Sequence, residues 1–272
     1  MSLMTSHTVV ITGATSGIGL AAAQALARGG ARVVLVGRDQ QRLREAADRV
    51  KDAAGVTPES LRADFAVLDE VRALAERLRA GYDHIDVLAN NAGAIIFKPI
   101  TTVDGFELTM QANHLAPFLL STLLRDRVGR IVNTASGAHR SGALDPDQLS
   151  GTGRYAPLRT YGTSKQANIL FTAEAARRWP DVLSTCLHPG VVRTRFAGQN
   201  RVTALAIRIA PFLRTPEQGA DTLVWLAGTD AGQLVNGGYY IDRRRRRALP
   251  KATDPVLAAR LWEASERAVG LA

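Results

Sequence analysis

Cysteine is almost absent from this chain. A single thiol, Cys186, in 272 residues excludes an internal disulfide framework, and no paired CxxC or HExxH spacing offers zinc ligands, so no metal is expected. Long apolar runs are missing too. No stretch of about 18 uncharged apolar residues exists, which excludes a membrane-spanning helix. The opening MSLMTSH lacks a basic-then-apolar signal, so residues 1–7 read as a leader with Met4 as the natural start, and a reducing, cytoplasmic location is expected. Neither a Pro/Ser-rich linker nor an internal repeat divides the sequence, and one domain is expected over 1–272. Apolar residues at 46% and charged residues at 22% match an average soluble globular protein and exclude disorder. The length is sufficient for a core that needs no staples.

Charge is unbalanced. Lys+Arg number 34 against 25 Asp+Glu, a net +9 that suits a polyanionic partner or a phosphorylated ligand. Much of it is local, because residues 243–247 are consecutive arginines. The run reads as a solvated basic loop ahead of a C-terminal helix, with an anionic membrane surface, nucleic acid or an acidic partner as its alternatives. Nucleic acid is not expected as a partner on this feature alone.

What is present is alternation. Short β-branched apolar runs at 8–12, 32–36, 85–90, 130–135 and 183–188, with 61–64 ending another, alternate with longer segments of helical period. That pattern predicts an α/β fold, doubly wound, with a parallel sheet of about seven strands buried on both faces. Helices are expected over about 17–28, 39–53, 68–79, 110–124, 160–178, 216–227 and 255–269, the second capped by Asp39. The stretch 141–157 is irregular, and 239–241 forms a last short strand.

Between the first strand and first helix stands Thr12-Gly13-Ala14-Thr15-Ser16-Gly17-Ile18-Gly19. Glycines allow the backbone to turn tightly and approach a ligand, while a helix N-terminus offers free N–H groups to a pyrophosphate. The spacing is Gly-xxx-Gly-x-Gly. Further on come Asp64, Asn90-Asn91-Ala92-Gly93, Asn113, Ser136, Tyr161-Gly-Thr-Ser-Lys165 and Pro189-Gly190-Val191-Val192-Arg193-Thr194. In this order the motifs resemble the short-chain dehydrogenase/reductase family across residues 12–194. The segments 130–139 and 161–172, the closing Leu261-Trp262-Glu263, and the long gap from Ser136 to Tyr161 are most similar to the branch of retinol dehydrogenases and WW-domain oxidoreductases, with protochlorophyllide reductases as cousins.

The resemblance implies sheet order 3-2-1-4-5-6-7 and a nicotinamide-dependent oxidoreductase with Asn113, Ser136, Tyr161 and Lys165 as its catalytic set. The chemistry is consistent. Moving a hydride to or from a carbonyl carbon requires a proton at the oxygen, and a free tyrosine with pKa ~10 is a poor base at neutral pH. Lys165, at i+4 from Tyr161, shares its helix face, and its ammonium together with the positive nicotinamide ring is expected to favour the phenolate. Ser136 holds the substrate oxygen. Asn113 resembles the family's asparagine that holds a water beside the lysine.

Cofactor choice turns on Leu35-Val36-Gly37-Arg38-Asp39. The carboxylate that NAD enzymes of the family place at the position of Gly37 is absent, and Arg38 follows with a guanidinium suited to a 2′-phosphate, so NADP(H) is expected. Asp39 would compete for the ribose but suits an N-cap. The resemblance further assigns Gly13, Thr15, Ser16, Gly17, Ile18 and Gly19 to the phosphates, Asp64 and the Phe65 backbone to adenine, and Asn91, Ala92 and Gly93 to the adenosine ribose. Tyr161, Lys165, Pro189, Gly190, Val192 and Thr194 complete the cofactor set. His114, His139, His188, Cys186, Trp225 and Trp262 read as packing residues, while Tyr155 is either a substrate-mouth residue or a surface turn.

Residues 195–214 mix Phe196, Leu205, Ile207, Ile209 and Phe212 with arginines, the composition of a lid over an apolar pocket. A lipophilic carbonyl or alcohol is the expected substrate. The alternative is a non-catalytic NADP-binding sensor or scaffold, which would not need the full catalytic set. Monomer and homo-oligomer both remain open.

Overall fold

The computed structural model describes residues 4–150, 155–192 and 213–272. Strands β1 (Thr8–Thr12), β2 (Arg32–Gly37), β3 (Glu59–Arg62), β4 (Val87–Asn90), β5 (Arg130–Thr134), β6 (Leu183–Leu187) and β7 (Gly238–Ile241) pair in parallel in the order 3-2-1-4-5-6-7. An eighth strand, β8 (Arg244–Arg246), pairs antiparallel with β7. Three of the five consecutive arginines are therefore a sheet edge rather than a loop. Burial decides the inner strands. Val9, Ile11, Val33 and Leu35 pack on one face while Val10, Val34, Val36 and Leu88 pack on the other, the period-two alternation of a sheet covered twice.

Helices α1 (Gly17–Arg28), α2 (Gln40–Ala54) and α7 (Pro216–Gly228) cover the first face. On the second lie α3 (Leu68–Gly81), α4 (Leu108–Met110), α5 (Ala116–Leu123), α6 (Pro157–Arg178) and α8 (Pro255–Ala268). Asp39 caps α2 by accepting from the Arg42 N–H at 3.0 Å, as its position before the helix implied. The helix expected over 110–124 is broken differently. A π-helical turn, Gln111–Leu115, joins α4 to α5, and such wide turns occur mostly at functional sites. Met4 is buried rather than trailing: its N–H bonds the Gly29 carbonyl at 3.0 Å and its side chain lies against Gly228.

The second face closes on an aromatic cluster. Trp262 meets Trp179 at 4.9 Å, Phe118 at 5.1 Å and Phe171 at 5.8 Å between ring centroids, which ties α8 to α5 and α6. Trp225 packs on Tyr240 at 5.6 Å. Both tryptophans serve packing, as expected. Removing the indole of Trp262, only 3% exposed, leaves three rings without their shared partner. Trp262→Ala is expected to lower unfolding free energy by about 3–5 kcal/mol in urea titrations, with the mid-point falling and the slope unchanged.

Candidate active site

The site forms at the carboxyl ends of β1, β4, β5 and β6, where an open α/β sheet binds its ligands. At its centre Thr12, the last residue of β1, fastens two turns together. Its hydroxyl donates to the Ala89 carbonyl at 3.2 Å and accepts the N–H groups of Asn91 and Ala92, each at 3.0 Å. The Asn91 amide donates to the Thr12 carbonyl at 3.1 Å. The Gly-rich turn is thus pressed onto the turn after β4: a Cβ on Gly19 would lie 2.3 Å from the Gly13 carbonyl oxygen and 2.6 Å from Asn91 Nδ2. Gly13, at φ +67°, and Gly17, at φ +54°, turn the chain into α1, whose N-cap Ser16 makes no side-chain capping bond. First-turn N–H groups of α1 are left for an anion. Thr15 packs beside Gly37, and Ile18 beside Gly219 and Val192.

At the end of β2, a Cβ on Gly37 would approach Thr15 Cγ2 to 2.6 Å, so glycine there lets the Gly-rich turn pack closely on the strand end. Arg38 is exposed beside it. Asp64 Oδ1 accepts from the Ala66 N–H at 3.0 Å, and the Phe65 carbonyl accepts from Gln111 Nε2 at 3.3 Å, which fixes the turn after β3. These features fit a dinucleotide with a 2′-phosphate.

The catalytic candidates come from β5, the π-helical turn and α6. Lys165 is 2% exposed, and its Nζ donates to the Thr134 carbonyl at 2.9 Å. A Cβ on Gly93 would be 3.2 Å from both Lys165 Nζ and Asn113 Oδ1, so glycine there keeps these groups adjacent. Asn113 is fully engaged. It accepts from the Ala94 N–H at 2.9 Å and donates to the Ala94 carbonyl and Ser164 Oγ, each at 3.0 Å. Ser136 caps the short turn that follows β5, accepting from the Ala138 N–H at 3.2 Å. Its carbonyl meets His139 Nδ1 at 2.7 Å.

Burial pushes Tyr161 up to about 12, with a side-chain hydrogen bond to Ser136 pulling the other way, and burial pushes Lys165 down to about 7. The Lys165 ammonium stands 5.6 Å from the tyrosine ring centre, and in the protein by itself burial favours the phenol form. His188, pushed down to about 4 chiefly by burial, accepts from the Gly137 N–H at 3.1 Å and stays neutral, as a packing residue does. His114, also near 4 through burial, bonds Ser265 Oγ at 3.0 Å, and Cys186 is buried.

Pro189, Gly190 and Val192 follow β6 and reach the same end of the sheet, with Val192 against Gly219 of α7. Thr194 and all of the expected lid except Leu213 and Arg214 lie outside the described residues. Tyr155 Oη donates to the Ile96 carbonyl at 2.5 Å, joining the segment after Gly93 to the start of α6 rather than forming a free surface turn. Sequence reasoning passed over Thr12, Thr134 and Ser164, whose common signal is a hydroxyl one or two residues from a motif residue.

Geometry and relationship agree. A family model described as short chain dehydrogenase matches residues 7–204. A Streptomyces sp. (strain C5) protein named as a candidate daunorubicin C-13 ketoreductase, DnrU, is 56% identical, covering 97% of this chain and 93% of that protein. Retinol dehydrogenase 14 of Mus musculus is 37% identical over 99% of this chain and 87% of its own length. The crystal structure of a candidate short chain dehydrogenase from Escherichia coli CFT073 complexed with NADPH superposes with TM-score 0.70 at 26% identity, covering 88% of this chain and 97% of that one. The chain belongs to the short chain dehydrogenase family, in its retinol-dehydrogenase-like branch, and is an NADP(H)-using oxidoreductase. No helix among the described residues is long and apolar enough to cross a membrane.

The buried lysine has a measurable signature. Between pH 7 and its ordinary 10.5 the unfolded chain binds a proton at Lys165 that the folded chain does not, so its contribution to stability rises with pH. Tyr161, raised to about 12, opposes this only above pH 10. Urea titrations without cofactor should show wild type gaining stability relative to Lys165→Met from pH 7 to pH 9.5. A difference that stays constant would show the ammonium to be solvated.

Proposed function

We propose that this chain reduces a ketone or aldehyde on a lipophilic molecule with NADPH, Tyr161 acting as the acid. The observation that carries the reading is the state of Tyr161: buried, hydrogen-bonded to Ser136 and pushed up to about 12, it is a proton donor held ready beside a lysine. NADPH, when bound, would supply the hydride chemistry. Ser136 orients the carbonyl oxygen, and the Tyr161 hydroxyl gives its proton to that oxygen as negative charge builds there. The phenolate left behind is stabilised by Lys165, whose own proton becomes more tightly held as the new charge appears. Asn113 keeps the Ala94 backbone and the Ser164 hydroxyl fixed around the lysine.

The name of the Streptomyces relative, a ketoreductase, supports the direction, and the retinol dehydrogenase relatives support an apolar substrate. Arg38 reads the 2′-phosphate in this reading, since Gly37 carries no acid that would bind a free ribose. Residues 1–272 act as one catalytic domain.

Tyr161→Phe is expected to abolish turnover on a panel of ketones and aldehydes followed by NADPH absorbance, with NADPH affinity nearly unchanged. Persisting activity would remove the tyrosine from the mechanism. A wild type that bound NADPH tightly yet turned over nothing in the panel would be the sensor instead. For cofactor choice, Arg38→Ala should weaken NADPH by roughly ten- to a hundredfold, from loss of a charge-assisted bidentate contact, and leave NADH far less affected. Equal weakening of both in titrations would show that Arg38 does not read the phosphate.

A further inference from the structure

β7 and β8 are joined by a two-residue turn, Asp242-Arg243, with φ +53° and +59°. Tight hairpins of this kind favour Asn-Gly, and an arginine in the left-handed region is strained. Each turn residue is held by an ion pair to a different part of the chain. Arg243 Nε donates to Asp221 Oδ2 of α7 at 2.7 Å. Asp242 accepts both Arg214 nitrogens, at 2.5 and 3.1 Å.

Arg214 in turn spans the segment after β6. Its N–H donates to the Val191 carbonyl at 2.9 Å, it bridges in parallel with Val192, and its Nη1 approaches the Pro189 carbonyl at 3.5 Å. The guanidinium occupies the space beside Gly190, where φ is +83° and a Cβ would lie 2.5 Å from Nε. Val192 is backed on its other side by Gly219 of α7. The Arg214 guanidinium thus lies against Pro189 and Gly190 while the Arg214 backbone holds Val191 and Val192, and Asp242 fixes that guanidinium.

We propose that the Asp242–Arg214 pair is a positioning device that sets residues 189–192 against the nicotinamide half of the cofactor. The proposal rests on the assignment of Pro189, Gly190 and Val192 to the cofactor set, and it takes the nicotinamide half as the part they meet. It explains why a strained turn carries charged side chains where Asn-Gly is favoured: the left-handed backbone is offset by an ion pair that reaches the cofactor segment. Neither residue touches reacting atoms. Their effect is on cofactor affinity and is confined to one half of the molecule.

The test compares binding of NADPH with binding of 2′,5′-ADP, which carries the adenosine half alone, by calorimetric titration of the full chain. Asn tolerates the left-handed region as well as Asp does, so Asp242→Asn removes the charge without breaking the turn. Asp242→Asn and Arg214→Gln should each weaken NADPH about tenfold, the scale of a charge-assisted bidentate contact, and the double variant no further than either single one. Affinity for 2′,5′-ADP should stay within twofold of wild type, and Asp221→Asn, which frees the other turn residue, should leave both ligands unaffected. Unchanged NADPH affinity in Asp242→Asn would overturn the proposal. So would parallel weakening of both ligands, or an equal loss in Asp221→Asn, since either marks general loosening of the hairpin. A wild type that binds NADPH no more tightly than 2′,5′-ADP would instead remove the underlying placement of 189–192 at the nicotinamide.

Discussion

The site is organised around a cation taken out of water. Lys165 is almost wholly buried, and its ammonium donates to the Thr134 carbonyl. A buried ammonium is costly, and the cost appears as a pKa near 7. Its surroundings follow from this. Thr134 ends β5, and its carbonyl accepts from both Lys165 and the Asn168 amide, while glycine at 93 leaves room for the lysine beside Asn113. The arrangement is worth its instability only if another group completes the lysine's shell, and both a ribose hydroxyl and a newly formed phenolate have the right chemistry.

Beneath the lysine, a buried polar chain holds the strand ends in register. Asn90 donates to Ser121 and Asn133, each at 2.9 Å, and Asn133 donates to Thr172 of α6 at 2.9 Å. These bonds link β4, β5, α5 and α6, the elements that carry the catalytic candidates. Buried amides are expensive when unpaired, so the network has few alternative packings and fixes α6 against the sheet. Rotation of α6 about its axis would move Tyr161 and Lys165 together and break the Thr172 contact.

The covered sheet and the Gly-rich turn were legible because each is written in a local pattern: β-branched runs, helical period, glycine at fixed spacing. The strand order came with the family resemblance that the ordered motifs carry. The cap at Asp39 was legible for the same reason. The π-helical turn at Gln111–Leu115 was not, since its residues carry an ordinary helical pattern and the extra residue is set by Asn113 reaching Ala94 and Ser164 across the fold. Nor was β8. Consecutive arginines carry no alternation of apolar and polar residues, and only pairing with Tyr239, Tyr240 and Ile241 makes them a strand. The phenol state of Tyr161 depends on burial, which the i+4 spacing from Lys165 does not report.

The basic run also bears on how the cofactor is chosen. Among the described residues Arg243 is the one member of 243–247 with an ion pair, so the remainder project uncompensated charge from the outer edge of the sheet. Charged residues on a short edge strand discourage pairing with another chain, a sufficient physical role for them. In the order β3-β2-β1-β4-β5-β6-β7-β8, that edge is six strands from the end of β2, roughly 30 Å at about 4.8 Å per strand. Physiological salt screens exposed charges over about 8 Å. The surplus of positive charge in the sequence is therefore too distant to favour a 2′-phosphate at β2, which leaves the absence of an acid at Gly37 and the exposed guanidinium of Arg38 as the local features there.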